Sequence, residues 1–192
     1  MTPWRPIAVA ALLLAVSTAW PQGDAGRTHP ESRARPLEVP GLSNFHRVSE
    51  TLFRSAQPTA EGFRSLKALG VTTVVNLRSY HSDRKEIDAT GLAYEHIYMK
   101  AWHPERKEIV RFLQIVSDPR RQPVLVHCQH GADRTGTMVA VYRMVVEGWS
   151  KEDAVAEMTS GQFGFHRVWR NLPGWIEELD VEAIRREAAS PR

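Results

Sequence analysis

One stretch of the chain concentrates reactive residue types: Cys128-Gln129-His130-Gly131-Ala132-Asp133-Arg134-Thr135-Gly136. It follows the run Val124-Leu125-Val126-His127 and precedes an apolar segment over 135–147, so it reads as the loop between a strand and a helix. A loop so placed turns successive backbone N–H groups inward, and these donors, with the positive end of the helix dipole, suit a phosphate dianion. Gly131 permits the tight curve this requires. Arg134 can hold two phosphate oxygens in a bidentate fork and grip a trigonal-bipyramidal transition state more firmly than the ground state. Lysine has no such fork. A positive setting of this kind keeps a cysteine as thiolate at neutral pH, which makes Cys128 a nucleophile toward phosphorus. The chemistry is phosphoryl transfer through a cysteinyl phosphate, with the Thr135 hydroxyl donating to the sulfur when it departs. Gln129, His130, Gly131, Ala132, Thr135 and Gly136 form the expected substrate-binding set around the catalytic pair Cys128 and Arg134.

A lone cysteine at a strand end is ordinarily a small buried hydrophobe. Here Cys, Gly, Arg, Thr and Gly coincide at a strand-to-helix junction, and that combination outweighs the bland reading. A Walker-type nucleotide loop is excluded because no lysine follows the glycine.

The elements that must position the loop follow from hydrophobic period and turn residues. Residues 45–48 and 52–55 read as two strands of a hairpin joined at Ser49 and Glu50. Thr59 can cap a helix carrying Phe63, Leu66 and Leu69, which stops at Gly70 before a buried strand over 72–77. A short helix from Asp83, with Glu86 as its capping-box partner, ends at Gly91 and leads to a strand over 93–98. Pro104 opens a helix bearing Ile109, Phe112, Leu113 and Val116, which Pro119 ends. After the loop come the helix over 135–147, a helix from Ser150 with Asp153 as box partner, and a final helix over 172–186. Strands alternating with helices predict an α/β fold: a central, mostly parallel sheet flanked by helices, with ligands at the strand carboxyl ends.

The 192 residues suffice for one domain with a real core. A net charge of +3, with Lys and Arg scattered, argues against a nucleic-acid partner. Arg5, the apolar run over 7–16 and the small residues Ser17, Thr18 and Ala19 form a signal-peptide pattern, with cleavage after Ala19 or after Ala25. The run is short of the roughly 20 residues that span a bilayer, so no stable membrane insertion is expected once the signal is removed. The division is then a signal peptide over 1–25, a Pro- and Gly-rich flexible leader over 26–41 and a catalytic domain over 42–188, in an exported, periplasmic or secreted protein. Cys128 is the only cysteine, so no internal disulfide forms. The eight histidines show no metal spacing, since His127 and His130 lack the helical interval of a zinc pair. No metal and no cofactor are expected. Trp149, Trp169 and Trp175 read as packing residues.

The segment His-Cys-Gln-His-Gly-Ala-Asp-Arg-Thr-Gly over 127–136 resembles the signature of the cysteine-dependent protein tyrosine and dual-specificity phosphatase superfamily. Leu52-Phe53-Arg54-Ser55-Ala56-Gln57-Pro58, Val74-Val75-Asn76-Leu77-Arg78 and the Gly-Trp-Ser of 148–150 are similar to segments of its bacterial, dual-specificity-like members, over about residues 45–175. The resemblance implies a metal-free phosphomonoesterase acting on phosphotyrosine, on other phosphoprotein residues or on a small phosphomonoester such as a phosphoinositide. A phosphate-binding pseudo-phosphatase is the alternative of another class. Family members carry their general acid as an aspartate on a loop after an earlier strand, but that loop here is Lys100-Ala101-Trp102-His103-Pro104-Glu105. Glu105 has the right topological place. Asp133 resembles an aspartate that immediately precedes the arginine in some lipid phosphatases of the superfamily. His103 is the third candidate. His127 is expected to orient the loop from beneath and His130 to face the substrate mouth.

Overall fold

The computed structural model describes residues 33–190, so the expected signal peptide and residues 26–32 of the leader lie outside the described residues. Its organising element is β6 (Val124–His127), an apolar strand buried on both faces. Val124 and Val126 enter one core and Leu125 the other, each fully buried. β6 runs parallel to β3 (Leu52–Ser55) on one side and to β4 (Thr73–Asn76) on the other, and β4 is parallel to β5 (Ala93–His96). β1 (Arg35–Pro36) and β2 (His46–Arg47) complete the sheet as antiparallel strands, in the order β1-β2-β3-β6-β4-β5. The expected α/β architecture is therefore present, with the strand that precedes Cys128 at its centre.

Helices cover both faces. α1 (Ala60–Ala68) begins where the Thr59 hydroxyl accepts the Gly62 N–H at 3.1 Å, and it buries Phe63 and Leu66 against Val74 and Leu125. The one-turn α2 (Arg84–Ile87) shares that face through Ile87. On the other face lie α3 (Arg106–Val116), α4 (Asp133–Val145), α5 (Lys151–Thr159), α6 (Asn171–Glu177) and α7 (Val181–Ala189). Every residue of α4 except Arg134 is buried, because α4 is enclosed by α3, α5, α6 and α7. Gly136 is needed for this closeness: a Cβ there would stand 3.0 Å from Met158 Cγ of α5.

Four expectations change. Residues 33–41 of the expected leader are built into the fold: β1 pairs with β2, and the Ala34 N–H donates to Glu157 Oε1 at 2.8 Å. The first hairpin strand is only two residues long. The final helix is two helices, because Asp180 leaves the helical conformation and its side chain caps α7 at the Ala183 N–H, 2.9 Å away. Asp83 precedes α2 but makes no side-chain cap, because its carboxylate turns inward to a buried histidine.

The helical layer is locked by a buried ion pair. Arg143 of α4 donates from Nε and Nη2 to the two carboxylate oxygens of Glu157 on α5, each at 2.8 Å, and its guanidinium lies over the Trp149 ring. Glu157 also receives Ala34, so one carboxylate joins the N-terminal edge strand to the helices around the loop.

Candidate active site

Because β3, β6, β4 and β5 are parallel, their carboxyl ends meet at one edge, where Ser55 and Asn76 flank His127 in register. The loop from Cys128 to Arg134 leaves this edge and enters α4. Gly131 sits at φ +69°, and a Cβ there would come within 2.5 Å of the Ser55 carbonyl carbon and 2.6 Å of Ala56 N. Glycine is thus required twice, by backbone conformation and by the close approach of β3. The Gly131 carbonyl accepts from Arg54 Nη2 at 2.7 Å, which turns that oxygen away from the bowl. Among the described residues, the backbone N–H groups of Gln129, His130, Gly131 and Ala132 have no acceptor, and α4 starts without a side-chain cap at Ala132. The loop therefore offers unpaired donors and a bare helix N-terminus, the combination that suits an anion.

Arg54 was not recognised as a site residue from the sequence. It is fully buried beneath the loop, with its guanidinium carbon 3.7 Å from the centroid of the Phe163 ring. Burial pushes it down to about 10, against the attraction of Glu157 and Cys128, so it keeps its charge at neutral pH. Its only sequence signal is an arginine at an inward position of a strand, in a segment that resembles the family.

Cys128 is 2% exposed at the base of the bowl. The expected brace beneath it is there. The His127 ring is fully buried, with Nδ1 3.3 Å from the Cys128 carbonyl and Nε2 2.8 Å from Asp83 Oδ2. The other oxygen, Asp83 Oδ1, accepts from Gln57 Nε2 at 2.7 Å, and Gln57 Oε1 accepts from Arg78 Nη1 at 2.9 Å. Burial alone would raise the Asp83 carboxyl, but the hydrogen bonds and charge of His127, with Gln57, hold it below the ordinary carboxylate range. The two family-like segments, 52–58 and 74–78, thus contribute Arg54, Gln57 and Arg78 to this support, while Asp83 lies beyond both. Arg134 is partly buried, with Nη1 3.5 Å from the Leu77 carbonyl, leaving most of its fork for a ligand.

The two carboxylate candidates are placed very differently. Glu105 stands at the start of α3, paired with Lys107 at 2.6 Å, and that ammonium holds it below the usual carboxylate range. Burial raises the neighbouring Glu108, whose Oε2 accepts the Glu105 N–H at 2.8 Å. Asp133 is instead the first residue of α4 and 6% exposed. Its Oδ1 accepts the His166 backbone N–H at 2.9 Å and its Oδ2 lies 2.8 Å from His166 Nδ1. His166 was also missed, because nothing in the sequence shows that the segment after α5 returns to the loop. Asn44, at φ +51°, makes that return possible by donating from Nδ2 to the carbonyls of both His130 and Phe163 at 2.9 Å.

The remaining expected residues divide. Gln129 and His130 are exposed at the loop crest, and Ala132 and Gly136 are buried in its wall and the first helical turn. Thr135 is a correction: it is fully buried within that first turn, and its Oγ1 has no hydrogen-bond partner, so the expected bond to the Cys128 sulfur is not made. His103 is exposed on the β5–α3 loop. Trp149 is buried, Trp169 and Trp175 pack against the main core, and Trp169 also stacks on the exposed Trp102 at 6.2 Å between centroids.

A buried cysteine at the end of a central parallel strand, a bowl of free amides and a closing arginine at a helix start together define a cysteine-dependent phosphatase. The chain belongs to the dual-specificity phosphatase family: residues 42–171 match the family model described as "DSP-PTPase phosphatase fused to NAD+ Kinase". It is 34% identical over 183 residues to the dual specificity protein phosphatase TpbA of Pseudomonas aeruginosa strain UCBPP-PA14, spanning 95% of this chain and 84% of that protein. The crystal structure of a TpbA variant with phosphotyrosine superimposes with a TM-score of 0.75 at 32% identity, covering 85% of this chain and all of the other. The catalytic core of the Saccharomyces cerevisiae PP-IP phosphatase SIW14 matches with a TM-score of 0.67 at 26% identity, over 79% of this chain and 94% of that one. The chain is accordingly a phosphoric monoester hydrolase of the protein tyrosine and dual-specificity type.

Proposed function

We propose that the protein is an exported phosphatase that removes phosphate from tyrosine side chains through a phosphocysteine at Cys128. The observation that carries this reading is the seat of Cys128: buried at the end of the central strand, next to the His127–Asp83 pair and at the start of a loop of unpaired amides that Arg134 closes. Phosphotyrosine is supported by the TpbA complex. Export is supported by the signal-like pattern of residues 1–25. No helix among the described residues is long and apolar enough to cross a membrane.

In the first step the Cys128 sulfur forms a bond to phosphorus as the bond from phosphorus to the phenolic oxygen breaks, and that oxygen takes a proton. In the second, water attacks phosphorus, gives up a proton and releases the sulfur. The Asp133–His166 pair serves as donor and then acceptor in this scheme, since Asp133 Oδ2 and His166 Nδ1 stand within hydrogen-bond reach at 2.8 Å and Asp133 directly precedes Arg134. Glu105, kept ionised by Lys107, is the poorer donor.

The acid assignment is tested by leaving group. Asp133→Asn is expected to slow alkyl phosphates at least about tenfold more than p-nitrophenyl phosphate, whose leaving group needs little protonation, while Glu105→Gln changes both by less than about twofold. Uniform slowing of all substrates by Asp133→Asn would reduce Asp133 to a brace for Arg134. The substrate class is tested by kcat/KM on a phosphotyrosine peptide, a phosphoserine peptide and inositol diphosphates. The phosphotyrosine peptide is expected to lead, and a lead for the inositol diphosphates would replace this reading with the activity named for SIW14.

A further inference from the structure

We propose that His130, Asp133 and His166 form a binding site for a divalent transition-metal cation of the zinc class, and that filling it shuts off the phosphate loop. Each of the three offers a ligand atom, and these atoms lie within 4.8 Å of one another. The sequence hid the cluster because His166 belongs to a loop 33 residues beyond Asp133.

The geometry is close to that of a metal site. Tetrahedral zinc with bonds of about 2.0–2.1 Å holds its ligand atoms roughly 3.3 Å apart. Asp133 Oδ2 and His166 Nδ1 are 2.8 Å apart, so a cation seated between them needs only a small opening. The His130 ring lies 5.0 Å from the His166 ring, centroid to centroid, and its exposed side chain can turn toward them. The surrounding hydrogen bonds keep this arrangement. Asp133 Oδ1 accepts the His166 N–H at 2.9 Å, which leaves Oδ2 for a cation, and Asn44 ties the loop of His130 to the loop that carries His166. The two exposed imidazoles give entry from solvent, and the buried carboxylate forms the base.

The donor set selects the ion. Two imidazoles and one carboxylate suit zinc, nickel or copper, whereas magnesium and calcium call for oxygen ligands throughout. Three protein ligands leave a fourth position for water or a phosphate oxygen.

Inhibition follows from where the ligands sit, and this half of the proposal rests on the phosphatase reading. His130 lies between Cys128 and Arg134, Asp133 directly precedes Arg134, and the cation takes the two atoms that the proposed proton transfer uses. Zinc and the leaving-group proton therefore compete for one place.

Cys128 is itself a potential zinc ligand, so binding is measured by calorimetric titration of zinc chloride into the full chain carrying Cys128→Ser. One equivalent is expected to bind, with affinity at least about tenfold weaker when His130→Ala or His166→Ala is added. Circular dichroism confirms that these surface-histidine variants fold. Cobalt(II) on the wild type is expected to show tetrahedral d–d bands without a thiolate charge-transfer band. Unchanged affinity in both histidine variants, or binding that vanishes with Cys128→Ser, overturns the site. With p-nitrophenyl phosphate, zinc is expected to inhibit the wild type, EDTA to restore the rate, and the inhibitory concentration to rise at least about tenfold in His166→Ala, measured against that variant's own zinc-free rate. Binding without inhibition overturns the shut-off. Absence of any metal-free hydrolysis defeats the phosphatase reading instead and leaves the calorimetry to decide the site.

Discussion

Cys128→Ser is expected to lower turnover by at least about 10³-fold, since losing a nucleophile costs orders of magnitude. Serine is nearly isosteric, but its hydroxyl does not ionise at neutral pH and, among the described residues, no base is hydrogen-bonded to this side chain: His127 is committed to Asp83 and to the Cys128 carbonyl. The anion site itself stays. The amides of 129–132, the uncapped start of α4 and Arg134 do not depend on the sulfur. Inorganic phosphate should therefore bind the variant about as well as the wild type, because every donor to the anion is kept. Calorimetry with phosphate and steady-state kinetics on p-nitrophenyl phosphate give the two readouts. Residual turnover above about 1% of wild type would contradict nucleophilic catalysis by Cys128.

Arg134→Lys is the second large effect, a fall in kcat of about 10²–10³-fold, the range seen when one fixed donor to a developing charge is lost. The charge is conserved and the fork is not. Arg134 is partly buried and makes one long contact to the Leu77 carbonyl, so the substitution removes little that holds the fold. The melting temperature should shift by no more than a few degrees while kcat collapses, a split that separates transition-state geometry from structural damage. A lysine variant with normal kcat would show that charge alone suffices.

How far the sequence reveals this site depends on how its parts are spread along the chain. The loop was legible because its nucleophile, glycine and arginine are consecutive, and because Val124, Leu125 and Val126 give its strand an unbroken apolar signature. The sheet was legible through the same kind of run at Val74 and Val75. What holds the loop was not. Asp83 reads as a helix cap, yet the need of a buried imidazole for an acceptor outweighs an exposed first turn, and the partners are 44 residues apart. Arg54 and His166 are as remote from the loop, and only the tertiary return of their segments brings them to Gly131 and Asp133. The edge strand β1 was hidden for a related reason: Arg35 and Pro36 have no strand propensity to show, and the segment is held by β2 and by Glu157. The break between α6 and α7 rests on one polar residue, Asp180, inside a pattern whose apolar period continues through it.

Acid quenching in the millisecond range during turnover of a phosphotyrosine peptide, followed by peptide mass mapping, tests the central claim most directly. The account predicts one phosphate per chain, carried by the peptide that contains Cys128, labile as a thiophosphate ester and missing in Cys128→Ser. Sustained turnover with no phosphate on that peptide at any quench time, or phosphate on another residue, would contradict it.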